Sequence, residues 1–124
     1  MCDVRDRASV AMQHEHSAFD PRITHSAGLA VIKPACLRYD ADINPARMQR
    51  FAKNVMGVET LEEGIAKLQA FYAAMKMPTK LSDFGLTQEA LEACAASACA
   101  RTGTIVQFKK LTSEDVLAIY KSVF

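Results

Sequence analysis

Apolar side chains recur at intervals of three and four residues along much of the chain, which is the spacing of one face of an α-helix. Two of these stripes have clear starts. Asn44-Pro45 combines a side-chain cap with a proline in the first turn, and Thr60 precedes Glu63 by three residues, as in a capping box. We predict one helix from Asn44-Pro45 to a stop at Gly57 and another from Thr60 to Met77-Pro78. Their apolar positions are Met48, Phe51, Ala52, Val55 and Met56 in the first, and Ile65, Leu68, Phe71, Tyr72 and Met75 in the second.

Three further helices are predicted from shorter signals. Small residues at the start of residues 26–39 lead into an apolar run with Pro34 inside it, which predicts a buried helix that bends at the proline. Thr87 is the expected cap of an alanine-rich helix over residues 88–101. A last helix is expected to begin behind Thr112.

Residues 104–108 have the composition of a β-strand but no obvious strand to pair with, so we interpret them as an extended loop. The predicted fold class is therefore all-α, with several helices in one domain. The chain has 124 residues, of which 50% are hydrophobic, enough for a single core and too few for two domains of ordinary size. We expect one helical domain over residues 1–124, with residues 1–9 divergent or disordered.

Charge and cysteine content exclude several classes of protein. The formal net charge is +1 and the basic residues are scattered, so no nucleic-acid partner is expected. No window approaches the roughly 20 apolar residues of a membrane span, and no secretory signal is present. The cysteines are Cys2, Cys36, Cys94 and Cys99. Since none forms a Cys-x-x-Cys pair, we expect reduced thiols that pack in the core of a cytoplasmic protein.

All three histidines, His14, His16 and His25, lie within twelve residues. Imidazole is the commonest transition-metal ligand and exchanges protons near neutral pH, so this segment indicates a metal or proton-transfer site. On a helix, His14 and His16 would point about 200° apart and could not share a metal. A turn at Pro21 could bring His14 and His25 together. The alternative is that the histidines cap helix ends and bond to backbone carbonyls.

The histidine segment consists of MQHEHSAFD beginning at Met12 and THSAGLAVI beginning at Thr24, followed by Pro34-Ala35. This arrangement resembles the metal-site signature of the iron-containing alcohol dehydrogenases, in the butanol dehydrogenase-like branch of the group III enzymes. The similarity covers nearly the whole chain from about residue 8. The other matching segments are Gly64-Ile65, residues 77–81 and residues 108–116.

The resemblance implies one half of a two-domain enzyme. In that family an N-terminal α/β half binds NAD(P), and a helical C-terminal half carries most of a site for Fe²⁺ or Zn²⁺, with one aspartate and three histidines as ligands. By this resemblance His25 corresponds to the last metal-ligating histidine. His14 corresponds to a catalytic histidine that lies beside the nicotinamide and the substrate and is not a ligand. His16 stands where the family has leucine and inherits no role.

The chain departs from the family pattern at other positions of the site. Val10 stands four residues before His14, where the family has another histidine ligand, and Ser26 replaces the usual glycine after the last ligand. The aspartate and the first histidine ligand belong to an earlier helix that these residues do not contain. All five glycines are isolated, so no Gly-x-Gly-x-x-Gly turn is present. One ligand of four remains, and a single imidazole does not hold a divalent cation at useful affinity.

Two functional hypotheses follow. The first is a detached or truncated helical half of an NAD(P)- and metal-dependent alcohol dehydrogenase, inactive alone and active only with a separate chain that supplies the nucleotide-binding half. The second is a non-catalytic interaction or structural domain derived from that family, whose exposed apolar faces bind a partner or a second copy of the chain. In neither case do we expect this chain alone to bind Fe²⁺, Zn²⁺ or NAD(P).

Overall fold

A computed structural model of the chain describes residues 7–100, 103–105 and 109–124. The described residues form six α-helices and no strand, which confirms the all-α prediction. A π-helical turn over Phe51–Met56 continues the third helix, and a 3-10 turn over Leu81–Phe84 precedes the fifth. None of the described helices has the length and apolar content needed to cross a bilayer. The helices are α1 (Ala8–Phe19), α2 (His25–Asp40), α3 (Pro45–Arg50), α4 (Leu61–Ala74), α5 (Gln88–Ala100) and α6 (Ser113–Lys121).

The predicted helix starts are confirmed by side-chain caps. Oδ1 of Asn44 accepts a hydrogen bond from the backbone N–H of Arg47 at 3.2 Å, and Pro45 opens α3. Thr60 and Glu63 form the reciprocal bonds of a capping box at the start of α4. The side chains of Thr87 and Thr112 cap α5 and α6 in the same way, each accepting a bond from a backbone N–H three residues on. The first six residues lie outside the described ranges, whereas Ala8 and Ser9 are buried in α1.

The predicted stripe behind Asn44 is wrong at Val55, whose side chain is 69% exposed. Met48 and Ala52 from the same stripe are buried. The segment changes from an α-helix to a π-helix at Phe51, and the wider turn of a π-helix rotates later residues away from the face that a 3.6-residue period predicts. Gly57, with φ of 66°, then ends the helix as predicted.

Only the first part of the stripe in α4 is buried. Ile65 is fully buried, whereas Phe71 and Met75 are 58% and 57% exposed. The helix packs against α2 and the π-helical turn, and both buried residues of α4, Gly64 and Ile65, lie in its first half. An apolar face therefore extends beyond the part of the helix that its neighbours cover.

The loop before α6 differs from the prediction at one residue. Ile105 was expected to have no pairing partner, but it forms an antiparallel bridge with Leu111 through two N–H···O bonds of 2.9 Å. Both side chains are buried and belong to the main core. Residues 106–108 of the predicted extended loop lie outside the described ranges.

The main core lies between α1, α2, α5 and α6 and includes Tyr120 of α6. Its ring is fully buried, and its hydroxyl donates a hydrogen bond of 2.8 Å to the backbone carbonyl of Met12 in α1. A smaller cluster of Leu37, Met48 and Ile65 joins α2 to α3 and α4. An ion pair of 2.9 Å between Arg38 and Glu62 lies on the surface beside this cluster.

The cysteines of the described residues pack in the main core, as predicted. Cys36, Cys94 and Cys99 are buried thiols. Burial raises the pKa of Cys94 to about 11, which keeps its thiol protonated and unreactive near neutral pH. Cys2 lies outside the described residues.

Helices α1 and α2 approach each other closely at Gly28. A Cβ atom at this position would lie 2.6 Å from Cγ of Gln13, which is too close for any real contact. Gln13 is itself fully buried. The absence of a side chain at Gly28 therefore permits the spacing of the two helices that carry the histidines.

We expect Gly28→Ala to lower the free energy of unfolding by about 1–3 kcal/mol, because the added methyl group overpacks the α1–α2 contact. The matched control is Gly64→Ala in α4, where the nearest atoms would lie at ordinary contact distances of 3.5 Å or more. That substitution should be neutral or stabilise by up to about 1 kcal/mol, since alanine has the better helix propensity. Urea denaturation of both variants measures the difference, and equal effects would contradict the close contact.

Candidate functional site

A short turn between α1 and α2 brings two of the three histidines together. Oγ of Ser17 donates a hydrogen bond of 2.7 Å to the carbonyl of Ile23, which ties the end of α1 to the turn. The rings of His14 and His25 then lie 5.2 Å apart between centroids and are tilted by 38°. The structure thus confirms that the turn at Pro21 places these two rings side by side.

The carboxylate of Asp20 stabilises this turn. It accepts hydrogen bonds from the backbone N–H and the guanidinium of Arg22, the shortest of them 2.7 Å. These bonds lower the pKa of Asp20 to about 2. Asp20 is therefore held as a carboxylate by its neighbour in the turn.

His25 is exposed at the first position of α2, and its ring is hydrogen-bonded to a buried side chain of α1. Its Nδ1 bonds to Oε1 of Gln13, whose Nε2 donates to Oγ of Ser17 at 2.6 Å. The histidine therefore bonds to a buried side chain and not to a backbone carbonyl. Sequence reasoning missed Gln13 and Ser17, although their spacing of four residues places both on one face of α1.

His14 is exposed on α1, and His16 lies on the opposite face of the same helix, as the helical geometry predicted. His16 is fully buried, with its ring 4.5 Å from that of Tyr120 between centroids. Neither of its ring nitrogens has a hydrogen-bond partner among the residues that the structure describes. Burial lowers the pKa of His16 to about 4, so the ring is neutral near pH 7.

The described residues supply only part of a donor set for a divalent metal. A ligating imidazole nitrogen lies about 2 Å from a bound zinc ion, so His14 and His25 are close enough to flank one ion or one substrate oxygen. Within the described ranges, however, no three His, Cys, Asp or Glu side chains converge on a common point. Val10, one turn before His14, is apolar and half-buried. His25 fits the role of one metal ligand, and the described residues do not complete the site.

The chain matches a known protein family over its whole length. The model of the C-terminal region of the Fe-containing alcohol dehydrogenase family matches residues 1–124. The match includes both helices of the histidine pair and all of the core.

Two curated relatives illustrate the similarity. The chain is 39% identical over 126 residues to the probable NADH-dependent butanol dehydrogenase 1 of Bacillus subtilis, with 94% of this chain and 32% of the relative covered. It is 31% identical to the NADH-dependent butanol dehydrogenase A of Clostridium acetobutylicum, with 91% of this chain and 31% of the relative covered. The chain therefore spans about a third of the length of these relatives.

Solved structures share the fold. The NADH-dependent butanol dehydrogenase A of Thermotoga maritima superposes with a TM-score of 0.85 at 27% identity, covering 95% of this chain and 33% of that protein. The aldehyde reductase YqhD of Escherichia coli superposes with a TM-score of 0.88 at 23% identity, covering 97% of this chain and 33% of that protein, and shows the fold alone.

We predict that His16 makes folding stability depend on pH. The folded pKa of about 4 lies below the ordinary value of 6.5, so the unfolded chain binds the extra proton between these pH values. The free energy of unfolding is therefore unaffected by His16 above about pH 6.5, and it falls by roughly 3 kcal/mol as the pH drops to about 4. His16→Leu should remove this dependence, and urea denaturation of both proteins at pH 7.5 and pH 5 measures it. If the free energy of unfolding changes equally in the two proteins between pH 7.5 and pH 5, folding does not lower the pKa of His16.

We expect His25→Ala to cost about 1–3 kcal/mol, because it leaves the buried Oε1 of Gln13 without its partner. The control is His14→Ala at an exposed position of α1, which should change the free energy of unfolding by no more than about 0.5 kcal/mol. Chemical denaturation at pH 8 gives both values. Equal losses from the two substitutions would contradict the contact between His25 and Gln13.

Proposed function

We propose, because this chain belongs to the Fe-containing alcohol dehydrogenase family as a C-terminal domain, that it forms the helical half of the catalytic site of an NAD(P)-dependent alcohol or aldehyde oxidoreductase. The observation that carries the proposal is the adjacency of His14 and His25 across the α1–α2 turn, with 5.2 Å between ring centroids. Both side chains are exposed and can meet a substrate.

In this proposal the two histidines have different roles. His25 is a metal ligand, and the hydrogen bond between its Nδ1 and Gln13 fixes the orientation of the ring. His14 lies beside the substrate, where an imidazole can accept or donate a proton near neutral pH. The chemistry supplied by Fe²⁺ or Zn²⁺ at such a site is Lewis-acid polarisation of the alcohol or aldehyde oxygen.

Residues 1–124 by themselves are proposed to be inactive. Val10 stands at a ligand position in the family pattern, and the described residues bring no three His, Cys, Asp or Glu side chains together. The isolated glycines provide no phosphate-binding turn for NAD(P). Metal and cofactor would therefore bind only when a nucleotide-binding half, in the same or another chain of a cytoplasmic enzyme, completes the site.

A second candidate function is a non-catalytic interaction or structural domain. It is favoured by the apolar residue at Val10 and by the exposed face of α4 at Phe71 and Met75. Such a face could be covered by another protein or by a second copy of the chain. In this case the histidine pair would be a remnant without a ligand.

A chimera tests the catalytic proposal. Residues 1–124 replace the aligned third of the Bacillus subtilis relative, with either Val10 or histidine at position 10. We expect Val10→His to raise the bound iron or zinc by at least about tenfold, because even the loss of an outer-shell partner of a metal costs that much affinity. NADH oxidation with butanal as substrate should rise in parallel. Metal analysis by mass spectrometry and absorbance at 340 nm give the two readouts.

The controls separate the two candidate functions. Adding His25→Ala to the Val10→His chimera should remove both the metal and the activity, whereas adding Gln69→Met, on α4, should change neither. A folded Val10→His chimera without metal would refute the ligand role of His25 and support the non-catalytic domain. Stoichiometric iron or zinc in the isolated 124-residue chain would overturn the proposal that it is inactive alone.

A further inference from the structure

We infer that Gln13 is the positioning residue of His25, holding the imidazole in the tautomer that carries its proton on Nδ1 and leaving the lone pair of Nε2 for a metal. The inference rests on the proposed function for the role of Nε2. The tautomer itself follows from the hydrogen bonds of the folded chain alone.

Hydrogen bonds link Ile23, Ser17, Gln13 and His25 in that order, and the direction of each bond follows from the one before it. The carbonyl of Ile23 can only accept, so the hydroxyl of Ser17 must donate its single proton to it. The oxygen of Ser17 is then left to accept, and the neighbouring group of Gln13 must be its NH₂. The amide oxygen of Gln13 therefore faces His25 and requires a proton on Nδ1.

The amide of Gln13 is also held in place by packing. The side chain is fully buried between α1 and α2, and its Cγ occupies the space that a Cβ at residue 28 would need. If the amide turned over, its NH₂ would face Nδ1 and its oxygen would face a serine oxygen that has no second proton to give. The reversed arrangement loses a hydrogen bond in a buried place and is disfavoured.

The consequence is a preorganised ligand. A neutral imidazole carries one proton, so the proton on Nδ1 leaves Nε2 unprotonated. Metal-ligating histidines commonly donate their other ring N–H to a protein oxygen, which orients the ring and raises its basicity. Here that oxygen comes from a glutamine twelve residues earlier, on the neighbouring helix.

The tautomer of His25 tests this inference without metal or activity. Long-range ¹⁵N–¹H correlation spectra of the ¹⁵N-labelled 124-residue protein at pH 8.5 distinguish a protonated Nδ1 from a protonated Nε2. His14→Ala and His25→Ala spectra assign the peaks. We expect His25 to carry its proton on Nδ1, whereas solvent-exposed histidines favour the proton on Nε2. A proton on Nε2 of His25 in the wild-type protein would overturn the inference.

Three variants separate positioning from packing. Gln13→Met keeps the volume but removes the acceptor, and His25 should shift to the Nε2-protonated form. Gln13→Glu keeps an acceptor oxygen and should restore the Nδ1-protonated form. The matched control, Gln69→Met on α4, should leave the spectrum of His25 unchanged. If Gln13→Met does not fold, Gln13→Ala replaces it, because a smaller side chain creates no overpacking at Gly28.

The outcomes are independent of the catalytic proposal. An unchanged tautomer in a folded Gln13→Met or Gln13→Ala variant would show that Gln13 does not position His25, even if the chimera is active. A confirmed tautomer together with a metal-free Val10→His chimera would instead leave the positioning intact and refute the metal site.

Discussion

The contact between Gln13 and Gly28 determines how the first two helices meet, and the arrangement of the histidines depends on it. The side chain of Gln13 fills the space left by the missing Cβ of Gly28, so α1 and α2 can approach until the glutamine amide reaches both Ser17 and His25. The turn between the helices is closed by the hydroxyl of Ser17 and by the pairing of Arg22 with Asp20. Packing and hydrogen bonding thus fix the same geometry.

Two polar side chains of α1 are fully buried, but only one of them has hydrogen-bond partners among the described residues. Gln13 is fully buried with bonds at both ends of its amide, so its desolvation is compensated. His16, one turn further along, is fully buried, and neither of its nitrogens is bonded to another described residue. Its low pKa reflects the cost of a charge in that place. Neutral imidazole beside Tyr120 then behaves as an aromatic core residue. The resemblance to a family with leucine at this position agrees with that role.

Around the histidine pair, the described residues combine an ordered framework with too few groups for a metal site. The turn, the pair of exposed imidazoles and the bond behind His25 are all present. A complete donor set is not present among the described residues, because Val10 offers no lone pair and no three His, Cys, Asp or Glu side chains come together. We propose that this chain of the family keeps the framework of the site, whereas the ligands needed for tight metal binding are not all present among the described residues.

The local sequence determined where the helices begin, and tertiary packing determined which of their side chains are buried. The caps at Asn44, Thr60 and Thr112 were predictable because a cap depends on a few adjacent residues. The same holds for the opposite directions of His14 and His16, which follow from helical geometry alone. The exposure of Val55 was not predictable, since a π-helical turn depends on how the helix packs.

In the site, too, some features follow from the sequence and others only from the tertiary structure. The sequence by itself determined that His14 and His25 flank a turn, and the family resemblance gave each a role. Only the tertiary structure decided that their rings lie 5.2 Å apart and that Gln13 holds one of them. It also decided that Ile105 pairs with Leu111 and that the end of α4 stays uncovered. The physical reason is that periodicity and caps report interactions within one helix, whereas these features depend on atoms that distant segments bring together.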